Sequence, residues 1–148
     1  MARPRVLFLC THNSVRSQMA EGFLRSVADD RFYIASAGTE ATCVHALAIQ
    51  VMDEVGIDLT THTSKTLDVL LNQPWDYVIT LCDNASERCP VFPGAAARIH
   101  WGFDDPSQAT GTDAERLETF RRVRDEIITR LQGWLDDQER STQNKERR

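Results

Sequence analysis

The sequence predicts an α/β domain: a four-stranded parallel sheet flanked by helices. Three observations carry this. Val6-Leu7-Phe8-Leu9 is an unbroken apolar run, the pattern of a parallel strand covered on both faces rather than the alternation of a half-exposed one. Short strand-like runs recur at 32–37, 77–81 and 97–101. Between them lie segments whose apolar residues repeat at helical spacing. Strands that alternate with helices in this way are joined by right-handed crossovers.

Taken in order, a polar loop follows the first strand, and Met19, Ala20, Phe23, Leu24 and Val27 then mark one face of a helix. Gly38 closes the second strand. Ala48, Val51, Met52 and Val55 mark a second helix, which Gly56 ends. Residues 66–71 read as a short helix stopped before Pro74. The last helix carries a long stripe of Leu117, Phe120, Val123, Ile127, Leu131, Trp134 and Leu135. From these boundaries residues 1–137 form a single catalytic domain, and 138–148 a polar tail expected to fray because it has no apolar residue to bury.

The 148 residues are 41% hydrophobic and 26% charged, which fits a globular chain and excludes a disordered one. A net charge of −5 without a basic patch argues against a nucleic-acid partner, and requires any anion site to be positive locally. No apolar stretch approaches a membrane span, and the N-terminus lacks the apolar core of a signal peptide. A cytoplasmic location is therefore expected, with no membrane partner and a monomeric state. Cys10, Cys43, Cys82 and Cys89 should there be reduced, so reactive or metal-binding roles outrank structural disulfides.

In open α/β sheets ligands bind beyond the carboxyl ends of the strands. Cys10 follows the first strand, Cys82 the third and Asp105 the fourth. The first connection reads Cys10-Thr11-His12-Asn13-Ser14-Val15-Arg16-Ser17. A loop at a helix N-terminus turns backbone N–H groups toward an anion. Arg16 adds a planar fork for two oxygens of a tetrahedral oxyanion. Both features favour a thiolate at Cys10, to which Ser17 can donate, and Asn13 suits a left-handed position. The bland alternative is a buried cysteine ending a strand beside an exposed arginine. A nucleotide loop is excluded, because no Gly-rich stretch ends in Gly-Lys-Ser/Thr.

Residues 6–22 (VLFLCTHNSVRSQMAEG) resemble the Cys-x5-Arg loop of the low-molecular-weight protein tyrosine phosphatases, and more closely that of the arsenate reductases sharing their fold. The similarity continues through Asp105-Pro106 and the final helix. It implies Cys10 as nucleophile, Arg16 as anion clamp, residues 11–17 as the substrate-binding loop and Asp105 as general acid. A poor leaving oxygen does require a proton donor, although Asp-Pro is also an ordinary turn signal, so Asp105 could simply cap a turn. Two departures stand out: His12 where the family often has glycine, and Val15 where many relatives have a second loop cysteine.

Within this family a phosphatase releases its adduct to water, whereas a reductase must supply two electrons. The resemblance implies that Cys82 attacks Cys10, that Cys89 then attacks Cys82, and that the 82–89 segment rearranges. It further implies thioredoxin as the reductant, no bound cofactor, and arsenate as substrate, with phosphate or small phosphoesters handled weakly. Cys82 and Cys89 could alternatively be inert buried thiols, or zinc ligands with Cys43 and His45, though short Cys-x2-Cys knuckles are lacking. His45, His62 and His100 read as structural. Some relatives hold a monovalent cation through positions matching Asn13, Glu21 and Thr63. Lys65 would oppose one, so no metal is expected. The competing functions are a tyrosine phosphatase, which would favour an aromatic where Ser107 stands, and a phosphocarrier, which Arg16 and Asp105 tell against.

Overall fold

The computed structural model describes residues 3–83 and 95–146. Strands β1 (Arg5–Cys10), β2 (Tyr33–Gly38), β3 (Trp75–Thr80) and β4 (Ala95–His100) form one parallel sheet in the order β2-β1-β3-β4. Three helices accompany them: α1 (Arg16–Ala28), α2 (Ala46–Asp53) and α3 (Asp113–Glu146). Leu9 lies opposite Ala37 on one side and Thr80 on the other, so Cys10 emerges between the ends of two neighbouring strands.

The apolar run of β1 is central and covered on both faces. Val6 and Phe8 join the large core with Met19, Leu24, Val51, Phe120 and Ile127, which seats all three α-helices on one side of the sheet. Leu7 and Leu9 face the other way, against Ala35, Leu70, Trp75 and Val78. Each fully buried side chain of this size contributes about 1.5–3 kcal/mol of burial free energy, and all four β1 residues are fully buried. Among the described residues no helix is long and apolar enough to cross a membrane.

Several local expectations are sharpened. The 66–71 segment forms a single 3-10 turn, Leu67–Leu70. Gly56 does sit at φ +80, just past α2. Val27 and Val55 are exposed: Val27 stands on the outer side of the last turn of α1, next to the fully buried Ala28, and Val55 lies past the end of α2 at Asp53. The polar residues from 138 onward continue α3 to Glu146. Gln138 accepts a hydrogen bond from Tyr77 Oη at 3.0 Å, and Glu139 pairs with Arg31 at 2.7 Å.

Gly38 lets the sheet approach the first loop. A Cβ there would lie 2.6 Å from Thr11 O and 2.8 Å from both Asn13 N and Cys10 O, all backbone atoms that cannot step aside. Gly38→Ala is expected to destabilise the protein by about 1–3 kcal/mol and to distort the loop. Urea unfolding midpoints, with thiol alkylation rates at Cys10, check this.

Helices α2 and α3 are clamped by charge. Glu54 Oε2 is 2.7 Å from Arg121, its Oε1 is 2.9 Å from Arg124, and Arg124 also donates to the α2 carbonyl of Val51 at 2.8 Å. Hydrogen bonds from Arg121 and then Arg124 lower the Glu54 pKa from 4.5 to about 2. A depressed carboxyl pKa adds stability above its unfolded value and loses it as pH falls through the folded one. Wild type should therefore lose this increment between pH 4.5 and about 2. Glu54→Gln should be less stable at neutral pH and show a flatter decline across that window in pH-dependent thermal melts.

Candidate active site

The loop after β1 closes on itself through one buried asparagine. Asn13 adopts φ +49, the left-handed position expected for it, and is fully buried. Its Nδ2 donates to Ser17 Oγ at 2.8 Å and to Ser36 Oγ at 2.9 Å, while its Oδ1 accepts from Gln18 Nε2 and from the backbone N–H of Lys65, each at 2.9 Å. These four contacts use the full capacity of the amide.

They also set the direction of the hydrogen bonds at the thiol. Ser17 Oγ lies 2.8 Å from Cys10 Sγ. Because Ser17 accepts from Asn13, its own hydrogen is available to Sγ, which stabilises a thiolate. On the far side, Ser36 donates to Glu21 Oε1 at 2.5 Å, and Arg25 holds Glu21 Oε2 at 2.9 Å. A buried polar chain thus runs from an anchored carboxylate to the sulfur.

Arg16 opens α1, so the loop sits at a helix N-terminus, where no side chain caps the helix and no acidic residue occupies the first turn. That leaves the positive end of the helix for an anion. Arg16 is only 2% exposed. Its Nη1 donates to Phe103 O at 3.1 Å, and its Nη2 stands 3.7 Å from Asp105 Oδ2. Cys10, also 2% exposed, lines one small cavity with Arg16, Asp105 and Ser107.

Asp105 caps a turn and faces the loop arginine at once. Oδ1 caps the 3-10 turn Pro106–Gln108, accepting from Ser107 N at 3.0 Å and Ser107 Oγ at 2.7 Å, while Oδ2 faces Arg16. Cys82 is fully buried just past β3, with Thr11 Oγ1 of the same loop 4.0 Å from its sulfur. Cys89 lies outside the described residues. Cys43 is exposed. Of the loop residues, His12, Ser14 and Val15 border the cavity.

The histidines have local tasks. His45 Nδ1 caps α2 by accepting from Leu47 N at 3.1 Å, and burial, followed by Arg116, lowers its pKa against the opposing pull of Asp105. His62 Nδ1 donates to Gln18 Oε1 at 3.0 Å; burial lowers its pKa as well, opposed by Glu21. His100 Nδ1 lies 2.7 Å from Thr80 Oγ1.

Asn13, Glu21 and Thr63 do converge, yet they do not fit a cation. Lys65 Nζ lies 4.0 Å from Glu21 Oε1 and donates to Thr63 O at 3.3 Å, and Asn13 Oδ1 already accepts two N–H groups. Gln18 and Ser36 are support residues that the sequence reading passed over. Ser36 had left a signal, being a polar residue inside the apolar β2 run.

A helix N-terminus, a hydroxyl set against a thiol, a buried guanidinium and a facing carboxyl together make a site suited to a tetrahedral oxyanion beside a cysteine. Residues 5–146 match the low molecular weight phosphotyrosine protein phosphatase family, and the chain belongs to it. It is 48% identical over 136 residues to the arsenate reductase of Halalkalibacterium halodurans, covering 92% of this chain and 98% of that one. Among solved structures, an arsenate reductase in a phosphate-binding state superposes with a TM-score of 0.73 at 32% identity, over 90% of this chain and 98% of that one. A thioredoxin-dependent arsenate reductase of Corynebacterium glutamicum matches with a TM-score of 0.58 at 29% identity, over 88% of this chain and 62% of the other.

Proposed function

We propose that this protein reduces arsenate to arsenite, with electrons supplied by thioredoxin. The observation that carries the reading is a second thiol, Cys82, buried against the very loop that holds Cys10. A hydrolase has no use for it. The arsenate reductases among the relatives support the same conclusion.

In the proposed sequence, arsenate sits in the 11–17 loop with two oxygens on Arg16. The Cys10 thiolate attacks arsenic as Asp105 protonates the departing oxygen, which leaves as water. Cys82, as thiolate, then attacks Cys10 Sγ. The sulfur–sulfur bond forms, the arsenic–sulfur pair leaves with arsenic, and arsenic(V) becomes arsenite while two thiols are oxidised. Cys89 attacks Cys82 to form the Cys82–Cys89 disulfide and free Cys10, in the manner of ordinary thiol exchange. The thioredoxin dithiol reduces that disulfide. Because Cys82 is fully buried, its burial has to be relieved before this last exchange. Chemistry that depends on free thiols belongs to a reducing, cytoplasmic setting.

The test is arsenate-dependent NADPH oxidation with thioredoxin and thioredoxin reductase, run on wild type, Cys82→Ser and Cys89→Ser. Wild type should turn over and both variants should stall. Turnover at the wild-type rate by either variant would sink the relay.

A further inference from the structure

We propose that His12, steadied by Glu40, is a specificity-determining residue that restricts the Cys10 site to compact inorganic oxyanions and turns away esters bearing an aromatic group. This rests on the arsenate-reductase reading only for the identity of the physiological anion.

The cavity over Cys10 is tight, with a volume of only about 10 Å3, far below the ~300–1,000 Å3 of pockets that take drug-sized ligands. A tetrahedral inorganic anion brings only its own oxygens to this loop. An ester brings more, because one oxygen must carry its substituent outward past the residues at the mouth. His12 borders the cavity together with Asp105 and Ser107.

The backbone that carries the imidazole is held rather than loose. The His12 carbonyl accepts from Ser64 Oγ at 3.0 Å and from Thr42 Oγ1 at 3.4 Å. Its Nδ1 is screened from solvent and lies 3.2 Å from Glu40 Oε2. The Glu40 backbone is fixed too, since its N–H donates to Thr11 O at 3.0 Å, where Thr39 Oγ1 also donates at 3.0 Å. Residues 39–42 therefore strap the loop from outside and bring a carboxylate beside the ring.

Two effects follow. The ring narrows the path that an ester substituent would take. On the other side of the mouth stands Ser107, a small residue committed to Asp105, which offers an aromatic substituent no face to stack on. Rejection by bulk and lack of a stacking wall act in the same direction.

The test compares inorganic phosphate with phenylphosphonate, two anions that differ in the ring, by isothermal titration calorimetry on the reduced full-length protein. Wild type should bind phenylphosphonate at least about tenfold more weakly than phosphate, and His12→Ala should narrow that ratio of affinities by about tenfold. Glu40→Ala, which leaves the ring but removes its tether, should close the gap in part. Equal affinities in wild type overturn the proposal, as does an unchanged gap in His12→Ala or an equal loss of both ligands. If His12→Ala melts like an unfolded chain, Glu40→Ala decides, and an unchanged gap there overturns the proposal. Neither ligand uses Cys82 or Cys89, so failure of arsenate reduction in the thioredoxin assay and failure of this proposal are read separately.

Discussion

Cys82→Ser is expected to abolish steady-state arsenate reduction, to below ~1% of wild type, while Cys10-dependent hydrolysis of a small phosphoester continues. The substitution exchanges sulfur for oxygen at a fully buried position, so packing against Thr11 changes little. What disappears is the capacity to form a sulfur–sulfur bond with Cys10. The loop, Arg16 and Asp105 remain intact, and water can still reach an adduct on Cys10. Parallel assays on one preparation check this, NADPH oxidation with arsenate against release of methanol from methyl phosphate. Loss of both activities together would mean that Cys82 supports the fold of the site and not the electron transfer.

Asp105→Asn is expected to slow the first chemical step by about 10²–10⁴-fold, the range for removal of a general acid. The structure makes this substitution unusually clean. Oδ1 caps the Pro106–Gln108 turn through Ser107, and an asparagine oxygen accepts those same two hydrogen bonds. Oδ2, the atom facing Arg16, is where a proton would be delivered, and there an amide fails. Melting temperature should thus hold while single-turnover arsenate reduction collapses. Asp105→Ala should lose the cap as well, and the difference in melting between the two variants measures the turn. Unchanged single-turnover rates in Asp105→Asn would assign the carboxyl to the turn alone.

Much of the fold was legible because burial leaves a local record. The unbroken run of β1 and the stripe on α3 come from residues that face the core at fixed periods. Where a period ran past the end of its element, as at Val55, or onto the outer side of a last helical turn, as at Val27, the reading overshot. The course of α3 beyond 137 was hidden, since its contacts there are polar and reach back to Tyr77 and Arg31.

The site divides in the same way. The three strand-end positions of Cys10, Cys82 and Asp105 and the left-handed Asn13 could be read from the chain, because strand ends and backbone conformation are properties of short segments. Only the tertiary structure decided that Asp105 both caps its turn and faces Arg16, and that Lys65 places its charge beside Glu21. It alone joined Ser36 and Glu21 to the Cys10 thiol through Asn13 and Ser17, and set Glu40 against His12. Those partners lie far apart along the chain, and no local periodicity encodes which distant side chain will close a hydrogen bond in a core. The sequence determines which groups can do the chemistry, and packing determines which of them meet.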